Sequence, residues 1–347
     1  MRMNILQYNI SLRKFGGDTI LKLFVIDSGT TSSRVRLYDG ESVVGSAVRQ
    51  AGAKDVAIRG DKSVVTDALR DCIAELLEAH SCALDEIDAI VASGMITSGV
   101  GLLEIPHREA PAGLDDIASG LVARTFPDIA DRPIYFIPGV KTGFGADSDI
   151  AEKDMMRGEE AEIFGYLEGV EPDLGWGDLL FMHYGSHHKC ILLRQGRIEG
   201  CRTSITGELM MTIMQQTILK SSLQSLSEFE PDEAWVRKGL ETAERAGFGR
   251  ALFSVRVAET MEAAGKGRAT SFYLGALLSL DFALLREMIT PRTPRLVLYG
   301  KSLYPSIFGP LVRERYPELD VVVVSEEESD RLSARGAMRI FERYQVQ

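Results

Sequence analysis

A pattern spanning residues 24–40 returns without a gap at residues 180–196. At a constant offset of 156, Gly29 falls on Gly185, Thr30 on Ser186, Leu37 on Leu193 and Gly40 on Gly196. Each copy reads as strand, Gly–hydroxyl turn, strand, Gly turn. Two such hairpins half a chain apart point to a duplicated domain. The length agrees, because 347 residues exceed what one hydrophobic core comfortably holds. Residues 169–178 carry Gly, Pro, Glu and Asp, the composition of a boundary. The expected organisation is a tail over 1–20, a first domain over 21–170 and a second over 177–347.

Short runs rich in Val, Ile, Leu and Phe predict buried strands at 21–26, 89–92, 134–137, 179–182, 296–299 and 321–324. Amphipathic helices lie between them. Val65, Leu69, Cys72, Ile73 and Leu76 share one face, with Asp71 and Glu75 on the other. Strands alternating with helices give an α/β architecture. Residues 270–288 are apolar on nearly every side, as in a helix buried between layers or domains.

Charge and cysteine usage narrow the function classes. Lys and Arg total 39 against 50 Asp and Glu, a net charge of −11 with no basic run, which argues against nucleic acid or an anionic membrane as partner. Cys72, Cys82, Cys190 and Cys201 show no framework spacing and read as reduced thiols of a cytoplasmic protein. No stretch reaches the length of uninterrupted apolar sequence that predicts a transmembrane helix. Residues 1–20 lack the apolar core of a signal peptide. The assembly stays open, a homodimer among the alternatives.

The hairpins hold the residue types that phosphate chemistry needs. The first strand runs through Asp27 into Gly29, Thr30 and Thr31. Glycine lets backbone N–H groups approach an anion, two hydroxyls can donate to its oxygens, and Asp27 can hold Mg²⁺ through water. A hairpin whose Ser and Thr residues only satisfy a turn reads the same way. The second hairpin offers Gly185, Ser186, His187, His188 and Lys189. Two such loops facing each other across a cleft would grip β- and γ-phosphates, leaving a base to be found for the attacking hydroxyl. Glu159, directly after Gly158, is the candidate, and neighbouring Arg157 can grip a carboxylate with its fork. The acidic run at 159–162 also suits a helix start.

Two other patterns fail. The sequence Gly300-Lys301-Ser302 ends like a P-loop, but Arg295 stands where the first glycine must be. His183, His187 and His188 lack Cys or carboxylate partners at zinc-ligand spacing. Met210, Met211 and Met214 read as core filling of a helix.

Taken in order, Asp27-Ser-Gly-Thr-Thr, Met156-Arg-Gly-Glu-Glu, Gly185-Ser-His-His-Lys, the segment 202–209 and Gly300-Lys-Ser-Leu resemble the 2-dehydro-3-deoxygalactonokinase family over residues 22–345. The resemblance implies two duplicated ribonuclease-H-like domains flanking an ATP cleft, as in the actin/hexokinase-type fold. It implies transfer from ATP, with Mg²⁺, to the terminal hydroxyl of 2-dehydro-3-deoxy-D-galactonate. Asp27, Gly29, Thr30 and Thr31 resemble the first phosphate loop, and Gly185, Ser186 and His187 the second, with Lys189 adding charge. Gly300 and Ser302 resemble the adenosine-contacting turn. Glu159 matches the position of the catalytic base, and Gly94, Met95 and Ser98 lie in the segment near the sugar acid. This chain departs from the family pattern at Ser28 and Cys190, where Trp is usual, and at Tyr184, where Pro is usual. A related acid such as the gluconate epimer, a phosphohydrolase and a nucleotide-sensing protein are the rival functions on this fold.

Overall fold

The computed structural model describes residues 14–15, 18–19, 22–40, 42–143, 148–169, 178–227, 229–301 and 303–347. Ser302 therefore lies outside the described residues. The chain divides into two compact units. Unit 1 comprises Met1–Lys141, Met155–Asp173 and Arg331–Gln347, and unit 2 comprises Thr142–Asp154 and Leu174–Asp330.

Unit 1 is built on strands β1 (Lys22–Ser28), β2 (Ser33–Asp39), β3 (Ser42–Arg49), β4 (Ala89–Gly94), β5 (Val122–Phe126) and β6 (Ala130–Phe136). They form one sheet in the order β3-β2-β1-β4-β6-β5. In β1, Leu23, Phe24, Val25 and Ile26 are all fully buried, because a central strand covered on both faces needs an unbroken apolar run rather than alternation. Strand β1 is antiparallel to β2 and parallel to β4. Helix α1 (Ala53–Arg59) is short. Helix α2 (Ser63–Ala79) turns the expected stripe of Val65, Leu69, Cys72, Ile73 and Leu76 inward, onto β2 and β3. Helix α3 (Glu159–Gly169) lies close enough to the C-terminal part of the chain that a Cβ at Gly336 would collide with Ala161 O.

Unit 2 repeats the plan with β7 (Leu179–Tyr184), β8 (His188–Arg194), β9 (Arg197–Ser204), β10 (Arg295–Gly300) and β11 (Asp320–Val323). Its sheet order is β9-β8-β7-β10-β11, with β7 antiparallel to β8 and parallel to β10. Helices α4 (Thr206–Gln216), α5 (Glu233–Ala246), α6 (Gly265–Met288) and α7 (Leu303–Arg315) flank it. The all-round apolar segment is α6: Phe272, Leu277, Leu278, Phe282 and Leu285 are buried in one core with Leu180, Met182 and Leu298 of the sheet. By length and composition α6 could cross a membrane, but 72% of its apolar window is buried within the fold, which accounts for its composition.

Both sheets thus carry an antiparallel trio followed by two parallel strands, the ribonuclease-H-like plan, and in unit 1 the antiparallel strand β5 is added at the far edge beside β6. The α/β class and the duplication expected from the two hairpins are what is observed. The internal match at offset 156 lays β1–β2 on β7–β8.

Candidate active site

In parallel α/β sheets ligands gather beyond the carboxyl ends of the strands. In unit 1 those ends belong to β1 and β4, where Asp27 pairs in register with Ser93 and Ser28 with Gly94. The turn that follows β1 is held by hydroxyls. Ser33 Oγ donates to Ala51 O at 2.7 Å, which uses its proton, so Ser28 Oγ must donate to Ser33 Oγ at 2.8 Å. The Gly29 N–H donates to Ser32 O at 3.0 Å, while the N–H groups of Ala53 and Lys54 donate to Gly29 O and Thr30 O. A Cβ on Gly52 would sit 2.6 Å from Thr30 O, so the chain entering α1 presses directly on the turn. Thr30 is left half-buried and Thr31 exposed.

Two glycines shape the floor beside Asp27. Gly94 has φ +89, and a Cβ there would lie 2.6 Å from Ser28 O and 3.5 Å from Asp27 Oδ1. Gly158 has φ +109, and a Cβ there would meet Gly94 Cα at 3.3 Å. Glu159, the first residue of α3, is thereby carried to the end of β4, 6% exposed. Glu160 beside it is fully buried and folds back so that both carboxyl oxygens accept the Gly158 N–H, at 2.8 and 2.9 Å. Burial, and then the charge of Glu159, push Glu160 up to about 8.

Arg157 is committed inside unit 1. One terminal nitrogen donates to Thr97 Oγ1 at 2.7 Å. The other donates to Ile105 O at 2.7 Å and lies 3.3 Å from His107 Nδ1. Arginine only donates, so His107 Nδ1 accepts and its ring proton sits on Nε2. Burial, then the charges of Arg157 and Lys141, hold His107 down at about 4. Thr97 Oγ1 in turn donates to Gly94 O at 3.0 Å, and Ser98 Oγ to Met95 O at 2.7 Å. Both terminal nitrogens of the fork expected to grip a substrate carboxylate thus already hold the segment 97–107 in place.

Unit 2 presents a second loop. The β7–β8 ladder ends at the Tyr184–His188 pair, leaving Gly185, Ser186 and His187 as the connection. A Cβ on Gly207 would collide with Gly185 O, and the Glu208 N–H donates to Ser186 O at 2.9 Å, so the first turn of α4 abuts the loop. A helix start of this kind favours an anion. His187 Nε2 lies 3.7 Å from Glu208 Oε2. Gly300, at φ +109, ends β10; a Cβ there would be 2.5 Å from Tyr184 O, and the Lys301 N–H donates to that oxygen at 3.0 Å. The Gly300 N–H donates to Ser329 Oγ at 3.2 Å. Lys189 lies one residue into β8, buried, on the face opposite His188.

Unit 1 therefore gathers Asp27, Gly94, Met95, Ser98, Arg157 and Glu159, and unit 2 gathers Gly185, Ser186, His187 and Gly300. Sequence reasoning named Thr97 and Glu160 only as members of longer motifs and gave no role to His107, Gly207, Glu208 or Ser329. Gly207 and Glu208 sit in the quoted segment 202–209, which was a usable signal. Ser329 and His107 had none, since only tertiary contact brings them in. Among the described residues no three His, Cys, Asp or Glu side chains converge as a metal cage. Mg²⁺ asks for less: a single carboxylate and retained water. Asp27 beside a floor that any Cβ would fill fits that demand.

Residues 27–323 match the family described as 2-keto-3-deoxy-galactonokinase. Over 262 residues the chain is 29% identical to the "Probable 2-dehydro-3-deoxygalactonokinase DgoK1" of Rhizobium meliloti, a match covering 74% of this chain and 78% of that one. The 2-dehydro-3-deoxygalactonokinase of Escherichia coli is 23% identical over 283 residues, covering 81% and 86%. The crystal structure of a Sinorhizobium meliloti protein described as a candidate 2-dehydro-3-deoxygalactonokinase is 26% identical and superposes with a TM-score of 0.72, over 91% of this chain and 98% of that one.

Proposed function

Because the chain belongs to the 2-keto-3-deoxy-galactonokinase family, we propose that it transfers the γ-phosphoryl group of ATP to the terminal hydroxyl of 2-dehydro-3-deoxy-D-galactonate, in the cytoplasm. The observation that carries this reading is the convergence of Asp27, Gly94 and Gly158–Glu159 at the carboxyl ends of β1 and β4. Phosphoryl transfer asks a protein for position, charge neutralisation and a proton acceptor, and little covalent chemistry.

In this reading Glu159 accepts the hydroxyl proton of the sugar acid as the phosphorus–oxygen bond forms. Asp27 holds Mg²⁺, which when bound neutralises charge on the phosphates. The hydroxyls of Thr30 and Thr31 in unit 1, and the loop Gly185–His187 with the start of α4 in unit 2, serve the phosphates. Gly300 keeps the end of β10 open for the adenosine. Arg157 acts by holding Thr97 and the backbone at Ile105, and so shapes the sugar-acid segment that includes Gly94, Met95 and Ser98.

ADP release with Mg-ATP across a panel of sugar acids tests the reading. Turnover that depends on 2-dehydro-3-deoxygalactonate is expected. Equal release with and without every acid would instead identify a phosphohydrolase, and a stronger response to the gluconate epimer would reassign the substrate.

A further inference from the structure

Beneath the second loop lies a buried polar pair, His188 and Asp281. His188 is the residue that closes the hairpin. Its Nδ1 stands 2.9 Å from Oδ1 of Asp281 in α6, and both side chains are fully buried. The surroundings are aromatic. Tyr184 and Tyr304 meet the imidazole edge-on at 4.8 and 4.5 Å, and the two tyrosine rings stack on each other at 5.4 Å. Phe308 packs against Tyr184 from α7.

Placing two polar groups in such a box costs free energy that an apolar pair of similar volume would not. Burial accordingly pushes the Asp281 carboxyl up, and the His188 ring opposes the push. What the pair provides in exchange is direction. Flat rings can slide over one another, whereas a hydrogen bond fixes the closing residue of the hairpin against a helix 93 positions further along the chain. Other anchors of the loop act elsewhere: the Lys301 N–H holds Tyr184 O, the Glu208 N–H holds Ser186 O, and Gly207 abuts Gly185 O. On the side exiting into β8, strand pairing to Tyr184 and Ser204 holds the backbone and the His188 side chain ties it to α6.

We propose that His188 and Asp281 form a positioning pair for the nucleotide: their bond sets the pitch of Gly185–His187 and thereby where that loop meets the phosphates of ATP. The inference rests on reading that loop as the second phosphate loop. Neither residue is catalytic, since both are sealed from solvent.

The test compares full-length variants by ATP titration calorimetry, by KM for each substrate and by thermal melting. H188L removes the ring nitrogen that meets Asp281, whereas H188N places a side-chain amide near the position of Nδ1. H188L is expected to raise KM for ATP about tenfold, the order of one hydrogen bond. KM for the sugar acid should stay within about twofold, because the sugar-acid residues belong to unit 1. H188N should recover most of the ATP effect. An unchanged ATP KM in H188L, a parallel rise for both substrates, or no recovery in H188N would each overturn the proposal. If H188L does not fold, D281S (shortened acceptor) against D281N (acceptor kept) makes the same comparison, and an unchanged ATP KM in D281S overturns it. The two readings fail differently. Wild-type protein that binds no ATP overturns the kinase reading and this inference with it. Wild-type protein that binds ATP alongside an H188L that binds it equally overturns the inference alone.

Discussion

The two loops follow the first strand of sheets whose first four strands share one order, yet they are fastened by different chemistry. The first is tied by a relay of small hydroxyls, Ser28 to Ser33 to Ala51 O, and by Gly52 pressing on Thr30. The second is tied by Gly207 and Gly300 and by a buried His–Asp pair set among tyrosines. Unit 1 also brings carboxylates to its strand ends, Asp27 and the Glu159–Glu160 pair, whereas the end of β7 in unit 2 carries Tyr184 and the end of β10 carries Gly300. A duplicated backbone has diverged through its supports: one half brings carboxylates to its strand ends, the other an aromatic residue and a glycine. The departures from the family pattern fall on those supports. Ser28 belongs to the hydroxyl relay, Tyr184 stacks on Tyr304, and Cys190 is fully buried in the core of unit 2.

The sharpest way to break this contrast is at the proton acceptor. E159Q should lower kcat by about 10²–10⁴, the range for general-base loss, while ATP binding by calorimetry is retained. A near-wild-type rate would remove the acid–base role from unit 1. Next in size is G300A. It forces a Cβ onto Tyr184 O at a positive φ and should cost about 1–3 kcal/mol of stability, read by chemical denaturation, with a matching rise in ATP KM. An unaltered KM would mean that the end of β10 does not set the nucleotide site. S33A then tests the first loop. It strips Ala51 O of its donor and Ser28 of its acceptor inside a buried site and should cost about 1–3 kcal/mol, against about 1 kcal/mol for S28A, which leaves the Ser33–Ala51 bond intact. Equal costs would refute the assigned proton direction.

A pH dependence probes the buried carboxyl of unit 1. Glu160 titrates at about 8 when folded against an ordinary 4.5, so between these values the folded chain binds more protons than the unfolded chain. Its contribution to stability therefore declines as pH rises through that window, and E160Q should flatten the decline. His107 behaves oppositely: held at about 4 against an ordinary 6.5, it withdraws stability as pH falls from 6.5 toward 4. Melting temperature followed from pH 4 to 9 in wild type and E160Q measures both limbs. An E160Q profile parallel to wild type above pH 5 would show that Glu160 is ionised at no cost.

Much of this was legible before any fold was known. Apolar runs located β1, β4, β7 and β10 because a strand covered on both faces must be apolar throughout, and shorter apolar runs marked β6 and the edge strand β11. The Gly–hydroxyl turns marked both loops because a tight strand-to-strand turn with free donors calls for glycine and small hydroxyl residues. The side-chain partners were not legible. Local pattern favoured Glu159 as base and offered Arg157 to a substrate. It could not show that Glu160 would fold back on Gly158, or that Arg157 would spend its terminal donors on Thr97, Ile105 and His107.

The sequence by itself determined the α/β class, the duplication and the family, since these depend on periodicity and on motifs a few residues long. The tertiary structure decided which polar groups are buried and with whom. His188 meets Asp281, Gly300 meets Ser329 and Gly336 meets Ala161 only after sheets and helices have packed. The physical reason is range. Propensity and patterning act over a few residues, while the partner of a buried donor is chosen by whichever distant element the core brings within hydrogen-bonding distance.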